Sequence, residues 1–326
     1  MSERGLVAAW YRGAGWLWLL RPLELLFRAA TALRRQFYRS GLLSSYRAPV
    51  PVVVVGNITV GGTGKTPVVI ALVEALQARG LRPGVVSRGY GAADGEFPRR
   101  VDAGSDPRLC GDEPLLIARR TGVPVVIDPD RPAAVRALLL SAPVDIVVCD
   151  DGLQHYALQR DLEIVLIDRQ RGLGNGFCLP AGPLREPRSR LRSVDHVLYR
   201  GSDSPRDGVS YQSRDWVNIR SAERRPLTAF SGVGEVDAVA GIGQPAQFFA
   251  SLEALGIAFR PHPFPDHHQF GAGDFSGMAG HTILMTEKDA VKCSALAGDD
   301  AWYLCIDASL PDDLVAAAAA LAVNTS

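Results

Sequence analysis

Residues 51–66 read Pro51-Val-Val-Val-Val-Gly-Asn-Ile-Thr-Val-Gly-Gly-Thr-Gly-Lys-Thr66. The four valines form a short, β-branched apolar run that predicts a buried strand. After them comes a Gly-rich loop that ends in Gly-Lys-Thr and opens a helix, the context that a phosphate-binding P-loop requires. The loop consists of Thr59, Val60, Gly61, Gly62, Thr63, Gly64, Lys65 and Thr66. Thr59 replaces the usual first glycine, but the strand–loop–helix context still predicts a nucleoside triphosphate site.

The residue types of this loop explain what it can bind. Glycines let backbone N–H groups surround phosphates, and a helix N-terminus favours negative charge. Lys65 is expected to reach the β- and γ-phosphates, and the Thr66 hydroxyl to bind Mg²⁺. Only three of the 35 basic residues are lysine (Lys65, Lys288 and Lys292). One of them stands where the loop demands lysine, which supports the assignment.

A second apolar run supplies carboxylates. Residues 144–151 read Val-Asp-Ile-Val-Val-Cys-Asp150-Asp151. An apolar strand that ends in Asp is the pattern that holds Mg²⁺ directly or through water in P-loop proteins. Aspartate is also a common turn residue, so the run alone is weak evidence. Together with the P-loop it predicts Asp150 and Asp151 as metal candidates.

Outward from these motifs, strand and helix patterns alternate. The predicted strands are 51–55, 84–87, 123–127, 144–149, 162–167, 194–199, 227–230, 257–260, 283–285 and 302–306, and the predicted helices are 65–79, 113–120, 132–140, 246–255 and 314–323. This order predicts an α/β fold with a parallel sheet and helices on both faces. We expect a P-loop domain over 50–200, a linker with a hairpin over 201–225, and a smaller α/β domain over 226–326.

The N-terminal residues 1–49 differ from the rest in charge. They carry eight Arg and two Glu, whereas the whole chain has zero net charge. The zero total argues against a nucleic-acid partner, which usually demands a basic protein. The longest uncharged run near the start, 13–20, is too short to span a bilayer. No signal peptide is recognisable either.

Within this segment, residues 22–35 predict an amphipathic helix. Leu23, Leu26, Phe27, Ala30 and Leu33 share one face, and Glu24, Arg28, Thr31 and Arg35 share the other. Arg-rich polar faces opposite Leu and Trp are typical of helices that lie in a membrane interface. Packing of the helix on the protein's own core would give the same pattern. The cluster of Trp10, Trp16 and Trp18 favours the membrane.

A P-loop indicates a nucleotide but not what is done with it, and three classes of protein stay open. A membrane-bound ATPase switch of the partitioning type would carry a further lysine where this chain has Val60. A GTPase would need Asn-Lys-x-Asp, and only the Lys-Asp of 286–289 is present. The third class is a kinase for a small or lipid hydroxyl.

Several further segments point to the kinase. They are Ser87-Arg-Gly-Tyr-Gly91, Gly111-Asp-Glu-Pro114, Asp150-Asp-Gly-Leu-Gln-His155, Leu179-Pro-Ala-Gly-Pro-Leu-Arg-Glu-Pro187, Phe264-Pro-Asp-His-His268 and Thr286-Glu-Lys-Asp289. With the P-loop, this ordered set closely resembles the tetraacyldisaccharide 4′-kinases, the lipid A 4′-kinases of Gram-negative bacteria. The resemblance covers nearly the whole chain.

The resemblance implies a reaction and a location. The γ-phosphate of ATP would pass, with Mg²⁺, to the 4′-hydroxyl of a tetraacyldisaccharide 1-phosphate and give lipid IVA. The enzyme would work peripherally at the cytoplasmic face of the inner membrane, held by the N-terminal helix. No protein partner is indicated.

The resemblance also implies roles for individual residues. Asp112 matches the family's catalytic base and His267 its partner, which would place the site between the two domains. From pattern alone, Asp112 could equally cap its helix, and His262, His267 and His268 could form a metal cluster.

The remaining candidates surround the nucleotide. Asp151 and Glu186 join Thr66 and Asp150 as candidates for the Mg²⁺ shell. Gln154 and His155 match residues near the nucleotide, although either could simply cap a turn, and Arg131 and Arg185 match arginines near phosphate. Arg188, Arg190 and Arg192 are expected on a solvated helix face. Lys288 and Asp289 match a family segment with no role assigned.

Overall fold

Helices and strands alternate along the chain as the sequence predicts. The computed structural model describes residues 3–294 and 296–323, so residues 1–2, 295 and 324–326 of the predicted terminal domains lie outside the described residues. The strands are β1 (Val52–Gly56), β2 (Pro83–Ser87), β3 (Arg99–Val101), β4 (Val125–Ile127), β5 (Ile146–Asp150), β6 (Leu162–Asp168), β7 (His196–Arg200), β8 (Gly208–Asn218), β9 (Arg224–Arg225), β10 (Val236–Ala240), β11 (Phe259–Pro263), β12 (Ile283–Thr286) and β13 (Ala301–Ser309). The α-helices are α1 (Glu3–Arg12), α2 (Arg21–Arg39), α3 (Lys65–Ala78), α4 (Pro107–Cys110), α5 (Asp112–Thr121), α6 (Arg131–Ser141), α7 (Pro245–Ala254), α8 (Glu287–Cys293) and α9 (Asp312–Val323).

All these strands belong to one sheet. Its order is β11-β10-β12-β13-β8-β7-β6-β1-β5-β2-β4-β3, with β9 paired to β8. The pairs from β7 to β4 are parallel, as are those among β10 to β13. The long strand β8 starts beside β7 and then runs antiparallel to β13. The predicted α/β fold with a mostly parallel sheet is therefore confirmed, and β8 carries the sheet from one half of the chain into the other.

The central strand β1 explains why the valine run is uninterrupted. Val53 and Val55 pack in one core with α3 and α5, while Val52 and Val54 pack in the core on the opposite face with α6. A parallel strand covered on both faces is apolar at every position. The P-loop therefore starts from one of the most deeply buried strands of the sheet.

Some of the predicted elements are wrong. Residues Leu227–Phe230 form a 3-10 helix and not a strand, since Pro226 precedes them and the Trp216 indole donates to the Leu227 carbonyl at 3.2 Å. The predicted linker over 201–225 does contain the expected hairpin, but its first strand is the long β8. Strands β3 and β10 and helices α1, α4 and α8 were not predicted.

The N-terminal helix α2 turns its polar side inward. Glu24 is 1% exposed, accepts from the Cys178 N–H at 3.2 Å and pairs with Arg21 at 2.8 Å. The apolar side faces outward, with Leu23, Leu26 and Leu33 all more than half exposed. The 3-10 helix Gly15–Leu20 that precedes α2 also exposes Trp16, Trp18 and Leu19. Of the predicted apolar face, Phe27 contacts the core. Over the described residues, no helix is both long and apolar enough to cross a bilayer.

Candidate active site

The P-loop links β1 to α3 and has the backbone that its glycines permit. Gly61 and Gly64 take φ values of 100° and 81°, a region open mainly to glycine. The segment before Arg185 braces the loop: the Val60 N–H donates to the Pro183 carbonyl at 2.8 Å, and the Arg185 N–H donates to the Ile58 carbonyl at 2.7 Å. These two bonds anchor the loop at the carboxyl end of β1.

Lys65 extends over this loop from the first turn of α3. Its Nζ lies 3.4 Å from Asn57 Oδ1 and 3.3 Å from Asp151 Oδ1. Arg185 reaches the same aspartate at 3.3 Å. Burial alone would raise the pKa of Asp151, but the charges of Lys65 and Arg185 lower it to about 2. Asp151 is thus a carboxylate paired with two cations.

Asp150 has a different environment. Its Oδ2 accepts from the Ser87 hydroxyl at 3.3 Å, while Oδ1 is buried without a hydrogen-bond partner. Burial and the nearby charge of Glu113 raise the pKa of Asp150 to about 7, against the opposing charge of Lys65. A buried carboxylate oxygen with free lone pairs is the donor that a hard cation prefers. Thr66 is buried in the first turn of α3, so the donors present fit Mg²⁺.

Glu186 lies elsewhere in the network. Its Oε1 accepts from Gln154 Nε2 at 2.9 Å, and its Oε2 accepts from the Tyr156 hydroxyl and lies 3.4 Å from Arg190 Nε. Gln154 also donates to the Asn57 carbonyl at 3.2 Å. Protein donors thus occupy both carboxylate oxygens, and a metal role for Glu186 stays a prediction that would require one of them to be displaced.

The predicted arginines lie in different environments, and one prediction about them is wrong. Arg131 is buried and donates to the Asp128 carbonyl at 2.7 Å and to the Asp150 carbonyl at 3.4 Å, so it braces the metal candidate from behind. The expectation of a solvated Arg190 is wrong: the side chain is 2% exposed and pairs with Glu163 and Glu186. Arg188 and Arg192 are exposed, as expected.

Asp112 and His267 come together from opposite halves of the chain. Asp112 is the first residue of α5, and its Oδ2 lies 3.1 Å from His267 Nδ1. Its Oδ1 accepts from the Glu113 N–H at 2.9 Å, while Gly111 and not Asp112 caps the helix. His267 has a φ of 57°, which is unusual for a non-glycine residue. Backbone strain of this kind is concentrated at functional sites.

The pair shifts both pKa values. Burial opposes ionisation of Asp112, but the hydrogen bond from His267 and the charges of Lys288 and Lys292 lower the pKa of Asp112 to about 2. Burial also opposes the charged form of His267, yet the bond to Asp112 raises the pKa of His267 above its usual value. The ring of Tyr90 stands against His267, with ring centroids 4.8 Å apart.

Asp266 connects this pair to the P-loop. Its Oδ1 lies 3.4 Å from Lys288 Nζ, and its Oδ2 would lie 4.0 Å from a β-carbon placed on Gly62. Gln244 donates to the Gly62 carbonyl at 3.5 Å. Gln244, which precedes β11, and Asp266, which follows it, therefore place His267 beside the phosphate loop.

The three clustered histidines do not converge on one point. His262 bonds Asp237 at 2.7 Å, and His268 bonds Asp274 at 3.1 Å, so each has a different carboxylate from His267. Among residues 3–294 and 296–323, no group of three His, Cys, Asp or Glu side chains is arranged to hold a metal. The alternative of a histidine metal cluster is not supported by this arrangement.

A cavity of about 500 Å³ lies on the other side of the P-loop, at the carboxyl ends of β6 and β7. It is lined by Asp168, Arg169, Gln170, Arg200, Gly201, Tyr211 and Gln247. The Tyr211 hydroxyl donates to the Gly64 carbonyl, and the Arg200 guanidinium lies 4.9 Å from the centre of the Tyr211 ring. The cavity therefore opens directly beside the end of the phosphate loop.

Comparison with known proteins gives the chemistry of this site. The sequence profile of the tetraacyldisaccharide-1-P 4′-kinases matches residues 16–322. The chain belongs to this kinase family. It is 59% identical to the tetraacyldisaccharide 4′-kinase of Pseudomonas paraeruginosa strain PA7, over 94% of this chain and 93% of that one. The enzyme of the same description from Pseudomonas aeruginosa strain LESB58 is 57% identical, with the same shares covered.

A solved structure supports the same fold. The crystal structure of the apo form of LpxK from Aquifex aeolicus in complex with ATP superposes with a TM-score of 0.78 at 28% identity, covering 95% of this chain and 99% of that one. As a tetraacyldisaccharide 4′-kinase, the chain is an ATP-dependent lipid kinase of lipid A biosynthesis. The ATPase switch and the GTPase are not favoured.

Sequence reasoning missed several members of the site. Asn57, Glu113, Asp266 and Lys292 all touch predicted residues, but none belongs to a nucleotide-binding signature. For Lys292, the rarity of lysine was a usable signal: all three lysines of the chain lie in the described site.

Proposed function

We propose that the γ-phosphate of ATP is transferred to the 4′-hydroxyl of a tetraacyldisaccharide 1-phosphate at the point where residues 266–267 meet the P-loop. The observation that carries this proposal is the contact of 3.1 Å between Asp112 and His267 beside a formed phosphate loop. One partner starts α5 and the other follows β11, so the pair exists only where the two halves of the chain meet.

The pair would accept the proton of the attacking hydroxyl. Asp112 supplies a carboxylate that is 5% exposed, and His267 shares the charge through Nδ1. Base assistance of this kind is worth about 10²–10⁴-fold in rate. Lys65 would hold the β- and γ-phosphates on the other side of the transfer path.

Mg²⁺ would be held by Asp150, whose Oδ1 is buried and unpartnered, together with the Thr66 hydroxyl. Held there, the ion would neutralise negative charge on the transferring phosphates. Asp151 would serve mainly to position Lys65 and Arg185, which it contacts at 3.3 Å each.

The nucleoside of ATP would occupy the cavity lined by Arg200 and Tyr211. The cavity of about 500 Å³ falls in the range of small-molecule sites. The cavity lies on the β6 side of β1, whereas the metal candidates lie on the β5 side. A nucleotide whose phosphates lie along the P-loop toward the metal candidates would therefore place its nucleoside in the cavity. Arg200 offers its guanidinium plane for stacking on a base.

The lipid substrate would be met at a membrane surface formed by the N-terminal segment. Exposed leucines and tryptophans cover the outer side of residues 15–33, and the 1–49 segment carries a net charge of +6. Each basic residue near an anionic leaflet adds about 1 kcal/mol. We infer peripheral attachment at the cytoplasmic face of the inner membrane, where ATP is available.

The test is transfer of label from γ-labelled ATP, with Mg²⁺, to purified tetraacyldisaccharide 1-phosphate. Wild-type protein is expected to label the lipid, while Asp112→Asn and His267→Asn should each lower turnover about 10²-fold or more. ATP binding should persist in both variants, measured by calorimetry. Label released as free phosphate without labelled lipid would refute the kinase, and near-wild-type turnover in both variants would refute the base pair.

A further inference from the structure

Two of the three lysines of the chain converge on Asp112 from one face of α8. Lys288 and Lys292 are one helical turn apart, so their side chains leave the helix on the same side. The Nζ atoms of both lie 3.8 Å from Asp112 Oδ2, the oxygen that also contacts His267. A carboxylate that is 5% exposed thus has two ammonium groups and an imidazole around a single oxygen.

Lys292 is fixed in place by Asp289. Its Nζ lies 2.9 Å from Asp289 Oδ1, and the side chain is 4% exposed. Asp289 is fully buried and accepts from the Gly241 N–H at 2.8 Å and from the Thr286 hydroxyl at 2.7 Å. These bonds tie the ammonium group to the carboxyl ends of β10 and β12, so its distance from Asp112 is set by the sheet.

Lys288 reaches Asp112 from the more open side. Its Nζ donates to Glu113 Oε1 at 3.0 Å and lies 3.4 Å from Asp266 Oδ1. It also lies 3.5 Å from His267 Nε2. An ammonium group has donors only, so this contact is favourable when Nε2 carries no proton. The proton then sits on Nδ1, which donates it to Asp112.

We propose that Lys288 and Lys292 are positioning residues for phosphoryl transfer, which keep buried Asp112 ionised and, through Lys288, select the His267 tautomer that bonds to it. The proposal rests on the proposed role of Asp112 as the base. Without such partners a buried carboxyl group takes up a proton and can no longer act as a base. The charged and titratable groups around Asp112 are Cys110 at the end of α4, Glu113 on its own helix, Asp266 and His267 on the loop after β11, and Lys288, Asp289 and Lys292 at α8.

Three variants are compared: the single variants Lys292→Met and Asp289→Asn, and the double variant Asp289→Asn/Lys292→Met. Lys292→Met removes the ammonium charge but leaves the buried Asp289 carboxylate without its cation. The double variant removes both charges of the ion pair and is expected to keep the fold. The pKa of the Asp112 carboxyl group is read by ¹³C NMR, with its signal identified by its loss in Asp112→Asn. The pH profile of kcat is measured in parallel, and Tm is recorded for each variant.

An opposite charge this close lowers the pKa of an aspartate by about 1–3 units. The Asp112 titration is therefore expected to move up by at least one pH unit from Asp289→Asn to the double variant, because only the charge at position 292 changes between these two proteins. The acidic limb of kcat should move with it, while the KM for ATP stays within twofold. Lys288→Met should shift the ¹⁵N signals of His267, and Lys288→Arg should restore them.

The outcomes test the action of the lysines on Asp112 separately from the role of Asp112 as the base. An Asp112 titration that is the same in Asp289→Asn and in a folded double variant would overturn the role of Lys292, whatever the kinetics show. Unmoved ¹⁵N signals in Lys288→Met would likewise overturn the role of Lys288. A moved titration with an unmoved kcat profile would support the action of lysine on Asp112 and would instead count against Asp112 as the base.

Discussion

Replacing Leu19 and Leu26 together by glutamine is expected to weaken binding to anionic vesicles about a hundredfold. The two side chains are 81% and 68% exposed; Leu19 belongs to the 3-10 helix Gly15–Leu20 and Leu26 to α2. Full burial of a leucine is worth about 1.5–3 kcal/mol. Burying the exposed parts of both in a bilayer would contribute about 3 kcal/mol, and each 1.4 kcal/mol is a factor of ten.

The assay is flotation with vesicles of mixed zwitterionic and anionic lipid, at several lipid concentrations so that a partition coefficient can be fitted. Because both leucines are exposed in the free protein, the change should alter the free energy of unfolding by no more than about 0.5 kcal/mol. Tm and label transfer to detergent-dispersed substrate should therefore stay near wild type. These two measurements exclude a general loss of structure.

Leu140→Gln is the matched control. Leu140 is 89% exposed but lies on α6, outside the N-terminal segment. Its variant should partition as wild type does. If the double variant floats like wild type, or if Leu140→Gln weakens binding equally, insertion of the leucine face is refuted.

Three further predictions concern the nucleotide and stability. Lys65→Arg should abolish label transfer although charge is kept, because a planar guanidinium does not replace a compact ammonium at the phosphates; full activity would remove Lys65 from that role. Arg200→Ala should raise the KM for ATP about fivefold to tenfold with little change in kcat, since a guanidinium stack contributes about 1 kcal/mol; an unchanged KM would place the nucleoside elsewhere. Burial and the charge of Arg131 lower the pKa of His155 to about 4, below the usual value of about 6.5, so between these pH values the unfolded state binds a proton that the folded state does not. The contribution of His155 to stability should fall by roughly 3 kcal/mol as pH drops from about 6.5 to 4, opposite in sign to that of Asp150, whose pKa is raised. The urea midpoint of His155→Gln should therefore gain on that of wild type over this range.

The P-loop half of the fold follows closely from local pattern. Central parallel strands such as β1 are covered on both faces, so their apolar runs are continuous and easy to recognise. Strand β10 was missed because Asp237 interrupts its apolar run. The structure resolves this conflict by pairing the buried Asp237 with His262 and His281, at 2.7 and 2.8 Å. Such long-range pairing is invisible in a local window.

The site divides in the same way. Residues from contiguous motifs, such as Lys65 and Asp150, lie where strand and loop order predict them. The two lysines beside Asp112 could not be predicted from a local pattern, because they stand 176 and 180 positions further along the chain. His267 was predicted only from the family resemblance. Arg190 was misjudged for a related reason: its neighbours along the chain are exposed, and only the fold reveals Glu163 beside it.

The distribution of lysine has a consequence for chemical labelling. Every side-chain amine of this chain belongs to the active site: Lys65 beside the phosphate loop, and Lys288 and Lys292 beside Asp112. Lys65 and Lys288 are 11% and 18% exposed, and Lys292 is 4% exposed. Acylating reagents, aldehyde cross-linkers and amine-coupled supports therefore meet, apart from the α-amino group, only residues of the candidate active site. Immobilisation or dye labelling of this enzyme is better directed to an added cysteine or tag.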